Sequence, residues 1–164
     1  MSEIIRLFVV IVFLTIGLAA HFLVIAALFP ARTAKTRRLL SSAPGRSFGV
    51  GLVNFVFFAV VALVLFSLAE NTGPFIRGVL TIPALVITAF LLIMLAFGLN
   101  AAAGLVGERI FPELPSWKQS LWGTVCLSLG CAVPFAGWFL LLPYAGFIGV
   151  GAFILGFFQR DAVP

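Results

Sequence analysis

The chain has 164 residues, of which 63% are hydrophobic and only 9% are charged, and its formal net charge is +5. A soluble domain normally carries about 25% charged residues, so the composition excludes a water-soluble globular fold. The mean hydropathy of +1.26 predicts an all-α integral membrane protein. We expect one transmembrane domain over residues 1–164, which is room for four or five spanning helices with short loops.

The first hydrophobic segment predicts a spanning helix over residues 4–29. A cleaved signal peptide is the alternative, with a weak cleavage site after Ala20. The apolar run continues for nine residues beyond Ala20 and ends at a basic cluster. These two features favour a retained helix.

A basic loop is predicted over residues 30–46, where five basic residues occur without an acidic one: Arg32, Lys35, Arg37, Arg38 and Arg46. The positive-inside rule predicts that this loop is cytoplasmic and that the N-terminus lies outside. The same side chains are suited to anionic lipid headgroups, at about 1 kcal/mol for each residue. Retention of the loop explains the positive charge without a nucleic-acid partner.

The rest of the chain predicts four more helices. Two of them cover residues 47–69 and 81–106, with Pro83 in the first turn of the second, where proline is tolerated. The 41 residues from Gln119 to Gln159 contain no charge and could form two spans. The segment Pro134–Trp138 interrupts them, because proline cannot continue a helix and glycine permits a sharp turn. We therefore expect a helical hairpin with arms over residues 117–133 and 138–158.

The predicted fold is thus a bundle of about five hydrophobic helices, with four spans and a broken last segment that forms the hairpin. With five spans, eight of the ten Lys and Arg residues lie inside, and Arg6 and Arg77 lie outside. A single span in place of the hairpin would move Arg160 outside, giving seven and three. The positive-inside rule favours five spans by that one residue.

Five short motifs along the chain suggest a relationship: Phe29-Pro30, Pro44-Gly45-Arg46-Ser47-Phe48-Gly49, Thr81-Ile82-Pro83-Ala84-Leu85, Val133-Pro134-Phe135-Ala136-Gly137-Trp138 and Gly149-Val150-Gly151-Ala152. Over about residues 28–158 they resemble the multi-span membrane module of bacterial polymer-forming proteins, the bactofilin-related group. The resemblance implies a protein of the bacterial cytoplasmic membrane, and we expect the membrane module here without the soluble polymer-forming domain. It supplies no catalytic residue.

A few polar residues lie within the predicted spans, about 9–12 Å from the cytoplasmic helix ends: His21, Asn54, Asn100 and Thr124. Because unpaired polar groups are costly in a bilayer, we expect them to form an interhelical hydrogen-bonded layer. Two alternatives remain open. His21 could ligate a chlorophyll-type pigment or a haem, with Gly17 one turn earlier leaving room for the macrocycle, or the polar residues could line a proton or substrate path.

A stripe of small residues is predicted on the last helix, formed by Ala145, Gly149, Ala152 and Gly156 at 4-3-4 spacing. Small residues on one helix face let two helix backbones approach closely. The spacing predicts close packing of this helix within the chain or against a neighbouring protein.

The sequence contains no nucleophilic triad, carboxylate pair, phosphate-cradling glycine loop or metal-ligand cluster. All five acidic residues fall at predicted membrane edges or termini. We therefore expect a non-enzymatic membrane scaffold or accessory subunit without a cofactor, whose partners are lipids and other membrane subunits. The alternatives are a pigment- or haem-associated subunit of a photosynthetic or respiratory complex that uses His21, and a small transporter or channel.

Overall fold

The computed structural model describes residues 2–133 and 135–158, and these residues form six α-helices and one π-helical segment. In chain order they are α1 (Ser2–Leu28), α2 (Pro30–Ser42), α3 (Pro44–Glu70), α4 (Pro74–Ile110), α5 (Ser116–Ala132), the π segment (Ala136–Leu141) and α6 (Leu142–Phe158). The all-α fold is confirmed.

Four stretches are long and apolar enough to cross a membrane: Phe8–Leu28, Pro44–Glu70, Pro74–Ile110 and Phe139–Phe158. The chain is a multi-pass membrane protein. Helix α5 has 17 residues, so it extends about 26 Å at 1.5 Å per residue and falls slightly short of a bilayer core of about 30 Å.

The predicted basic loop is wrong, because most of it is helix α2. Pro30 and Pro44 stand at the starts of α2 and α3, where the missing N–H of proline costs nothing and its fixed φ favours the helix. Between the helices the chain has non-helical backbone only at Phe29 and Ala43. The basic residues of the segment therefore lie on a short helix with a defined orientation.

The third predicted helix, over residues 81–106, is also longer than expected. Helix α4 has 37 residues, and only residues 71–73 separate it from α3. Pro83 consequently lies inside α4 instead of in its first turn. The helix is continuous on both sides of the proline.

The predicted hairpin is present between α5 and α6. Gly137 is buried in its turn, and a Cβ there would lie 2.5 Å from the carbonyl oxygen of Cys131. Only glycine fits this close approach. Phe135 precedes it with a φ of 65°, a left-handed conformation that is rare for a bulky residue. Pro134, which the sequence also placed in the turn, lies outside the described residues.

Helices α3 and α6 run antiparallel, as do α4 and α5. Ser47 of α3 lies against Gly151 of α6, and Gly51 lies against Phe147, which comes earlier in α6. In the same way α5 runs back along α4. The hairpin therefore begins and ends at one end of the bundle, which argues against a single span in its place.

Helix α2 packs across that same end, which we call the α2 end of the bundle. Arg37 of α2 contacts Ser120 near the start of α5, and Arg32 lies over Phe157 near the end of α6. The ends of four spanning stretches and the start of α5 therefore meet at α2.

Small residues dominate the interior and large apolar residues cover the outside. Ala84, Ala101 and Ala152 are at most 1% exposed, whereas Phe13 is 71% and Leu63 is 68% exposed. This distribution suits a bundle in lipid, where packing between backbones holds the helices together and bulky side chains face acyl chains.

The closest backbone contacts predict that alanine substitution affects stability differently at two glycines of α3. Gly51→Ala would place a methyl group on the backbone of Phe147 and Gly151, whereas nothing lies within 4 Å of the corresponding position at Gly49. We expect Gly51→Ala to reduce the free energy of unfolding by about 1–3 kcal/mol. Gly49→Ala should change it by no more than about 0.5 kcal/mol.

Denaturation by sodium dodecyl sulfate, followed by circular dichroism in mixed micelles, measures both variants under one condition. Equal losses at the two positions would show that α3 and α6 do not meet at Gly51.

Candidate functional site

The predicted interhelical polar layer does not form as expected. The Asn54 Nδ2 atom donates to the carbonyl oxygen of Val50 in its own helix, at 2.8 Å. The Thr124 hydroxyl likewise donates to Ser120 in its own helix, at 2.7 Å. Both side chains donate to a backbone carbonyl oxygen one turn earlier, as short polar side chains within a helix commonly do. They therefore do not join helices through these bonds.

Asn100 is the one member of the predicted layer whose described hydrogen bond crosses between helices. Its side chain is 1% exposed, and Nδ2 of α4 donates to the carbonyl oxygen of Phe22 in α1 at 2.6 Å. Its Oδ1 atom is buried without a partner among the described residues. Asn100 thus links the first helix to the centre of the bundle.

His21 points away from the bundle, in contrast to its predicted place in the layer. Its side chain is exposed, while the neighbouring Phe22 is 4% exposed and Ile25 is 9% exposed on the inward face of α1. No described residue forms a hydrogen bond with the imidazole, and its nearest aromatic ring is Phe22, 6.1 Å away between centroids. A Cβ added to Gly17 would have nothing within 4 Å. The surface formed by His21 and Gly17 is open.

The small-residue stripe of α6 packs inside this chain. Ala145, Gly149 and Ala152 are buried, and Gly156 is half-buried beside Leu39 of α2. A Cβ on Gly149 would lie 2.5 Å from the Cα of Gly98 in α4. Of the two locations that the sequence left open for this packing, the structure places it within the chain.

Sequence reasoning missed Gly98 as the partner of the stripe, and it missed two other close contacts between helices. Gly151 of α6 and Gly51 of α3 form a second contact, and Gly107 and Gly123 bring α4 and α5 together. The signal was available, since several glycines and alanines stand three or four residues apart in α4 as well as in α6.

Arg37 attaches the basic helix α2 to the bundle. Its Nη2 atom donates to the Ser120 Oγ atom at 3.1 Å, and its Nη1 atom lies 4.0 Å from the Glu108 carboxylate. A Cβ at position 104 would overlap the guanidinium, so Gly104 provides the space for it. Burial lowers the pKa of Arg37, and the charge of Glu108 opposes this with a smaller effect.

The other basic residues of the segment differ in their surroundings. The Arg32 guanidinium carbon lies 4.1 Å from the ring centroid of Phe157, a cation–π geometry. Lys35 is half-buried, while Arg38 and Arg46 are exposed. The five predicted headgroup contacts are therefore not equivalent, because Arg37 is held by α4 and α5.

A polar cleft of about 250 Å³ opens beside Arg37, between α2, α4 and the first turns of α5. Its lining is mostly polar: Ala34, Arg37, Arg38, Ser41, Glu108, Ser116 and Gln119. The Gln119 Nε2 atom donates to the carbonyl oxygens of Phe111 and Pro112, at 3.2 and 3.3 Å, and so fixes the loop that precedes α5. The cleft is thus lined by three helices that contact one another.

Comparison with known protein-family models, with curated proteins and with solved structures finds no match to this chain. The resemblance to the bactofilin-related membrane module therefore stays a prediction.

The geometry of the polar residues predicts unequal effects of truncation. Asn100→Ala removes a buried bond between α1 and α4, so we expect a loss on the order of 1 kcal/mol in the free energy of unfolding. Asn54→Ala removes only a contact within one helix and His21→Leu removes none, so both should leave stability nearly unchanged. Unfolding in mixed micelles measures all three. A large loss in His21→Leu with Asn100→Ala unaffected would reverse this assignment.

Proposed function

We propose that the protein is a non-enzymatic membrane scaffold or accessory subunit, which binds a helix of another membrane protein through α1. The observation that carries the proposal is His21, exposed within the apolar span Phe8–Leu28 and without a hydrogen-bond partner in the described chain. An ionisable side chain in the hydrocarbon is costly unless a neighbouring group pairs with it. A polar group on a partner helix would supply that pairing.

The rest of α1 supports a partner at this place. Four large side chains of its first half are strongly exposed: Phe8, Val9, Val10 and Phe13. Phe22 and Ile25 provide the buried apolar contacts of its second half. Helix α1 therefore has its own attachment to the bundle and a separate outward surface, on which His21 and Gly17 lie.

The outward position of His21 also favours a second candidate, a pigment- or haem-associated subunit. A planar macrocycle needs space beside the ligating ring, and the surface at Gly17 is open. The imidazole would supply one nitrogen ligand to the metal of such a group. An absorption band in the purified complex that His21→Leu removes would favour this candidate over a partner helix.

A transporter or channel has less support from the polar groups away from the α2 end. The hydroxyls of Thr81 and Thr88 in α4 donate to carbonyl oxygens four residues earlier, at 2.7 and 2.8 Å. Their hydrogen atoms are directed to the helix backbone, so these residues do not contribute a free donor to a path across the bundle.

Photo-crosslinking tests the proposed docking surface. A photo-reactive residue at position 21 should give a crosslink to one membrane protein in native membranes. The matched control is position 63 of α3, since Leu63 is strongly exposed, as His21 is, but has an apolar side chain. His21→Leu should reduce copurification of the crosslinked protein by about tenfold if the imidazole forms a buried hydrogen bond to it, equivalent to about 1.4 kcal/mol.

Equal crosslinking at positions 21 and 63, or a chain that purifies alone and carries solute flux in liposomes, would contradict the proposal.

The proposed orientation places the α2 end in the bacterial cytoplasm and the N-terminus outside, since α2 carries four basic residues and no acidic one. Cysteine labelling in intact cells checks it, with Cys126 and Cys131 replaced by alanine. Ser41→Cys should be protected from an impermeant reagent and Asn71→Cys should react. Both positions are exposed, and α3 separates Ser41, near the end of α2, from Asn71, which follows the end of α3. Reaction at position 41 alone would show the opposite orientation, with the α2 end outside.

A further inference from the structure

The cleft at the α2 end has the chemistry of an anion site. Its lining includes two basic residues, Arg37 and Arg38, and one acidic residue, Glu108. The Glu108 carboxylate is 4.0 Å from the Arg37 Nη1 atom, at the limit of an ion pair, and it makes no other ion pair with the described residues. Arg38 forms no ion pair within the described chain. The lining therefore has a net charge of +1.

The start of α5 adds further donors at the same place. Ser116 is the first residue of α5 and lines the cleft. The first intrahelical bonds of α5 are donated by Lys118 and Gln119 to the carbonyl oxygen of Pro115. The amides of Ser116 and Trp117 come before these bonds and have no helical acceptor, and no side chain caps them. Such amides and the helix dipole favour an anion.

The size and position of the cleft narrow the class of anion. Its volume of about 250 Å³ is about eight times the 30 Å³ that one water molecule takes in the liquid, so a phosphate group with a short polar substituent fits. Trp117, next to Ser116, is 57% exposed, as expected for a tryptophan at a membrane–water interface. Lipid headgroups occupy this level of a bilayer.

We propose that the cleft formed by Arg37, Arg38, Ser116 and their neighbours binds a phosphate-bearing anion. Arginine suits this role because its planar guanidinium forms two parallel hydrogen bonds with phosphate oxygens. Ser120 and Gly104 hold Arg37 in place, and Arg38 is available for the ligand. The headgroup of an anionic phospholipid and free phosphate share this chemistry, and the experiment distinguishes them.

The test uses the full chain, delipidated in a neutral detergent, with native mass spectrometry to count bound lipids. Phosphatidylglycerol should give a stoichiometric adduct and phosphatidylcholine with the same acyl chains should not. Ser116→Asp places a carboxylate in the cleft, where it stabilises the start of α5 and competes with the ligand. We expect Ser116→Asp and Arg38→Gln each to weaken the adduct about tenfold, the loss of one charge-assisted contact.

Arg109→Gln is the matched control, because Arg109 is an exposed arginine in the last turn of α4 that does not line the cleft. Arg109→Gln should change the affinity for the lipid by no more than about twofold, because salt in the solvent screens the charge of an exposed side chain outside the cleft. Ala34→Phe narrows the cleft without changing its charge and should also weaken the adduct. Thermal unfolding of each variant confirms that the chain is folded.

The source of the anion follows from a parallel titration with inorganic phosphate and glycerol phosphate. If these soluble anions displace the lipid from the original chain but do not bind Ser116→Asp, the site takes free phosphate as well. If only the lipid binds, the site takes a headgroup. Equal weakening in Arg109→Gln and Arg38→Gln would overturn the proposal, as would the absence of both lipid and phosphate binding. The isolated chain is sufficient, so this result is independent of the partner proposed for α1.

Discussion

The structure depends on backbone contact between α6 and its two neighbours at positions that have no side chain. Gly151 meets Gly51 of α3, and Gly149 meets Gly98 of α4. In lipid there is no hydrophobic force to draw helices together, so short-range packing must supply the attraction, and it acts only when atoms touch. Four glycines therefore determine how closely these three helices approach.

Glycine has a second role at the α2 end, where it admits a charged group instead of a backbone. The Arg37 guanidinium occupies the space at Gly104, donates to Ser120 and lies near Glu108. One side chain from α2 thereby contacts both α4 and α5. The geometry of the cleft depends on this contact, because α2 forms one wall and α4 and α5 form the others.

Much of the fold could be predicted from composition and spacing, since spans of about 20 apolar residues have few alternatives. The hairpin was predictable because Gly137 falls in a run that is otherwise long enough for two spans. Helix α2 could have been predicted as well, although its basic residues are also typical of a loop, because its buried residues have a helical period. Thr33, Thr36, Leu39 and Leu40 are its buried residues, spaced as one helix face. Pro30 and Pro44, each at the start of a helix, were the other signal.

The polar residues could be predicted in depth but not in direction. The depth of a side chain in the membrane depends on its position along the helix. Its direction depends on how the helix is rotated against its neighbours, and the residues around it in the sequence do not determine that rotation. His21 and Phe22 differ by about 100° around α1, and the contacts of Phe22 and Ile25 with the bundle turn His21 outward. Polar side chains at the α2 end and within the apolar span therefore need different hydrogen-bond partners. Arg38, exposed at the α2 end, can form hydrogen bonds with water. His21, within the apolar span, has no water to replace a missing partner, and the partner helix proposed at α1 would supply that pairing.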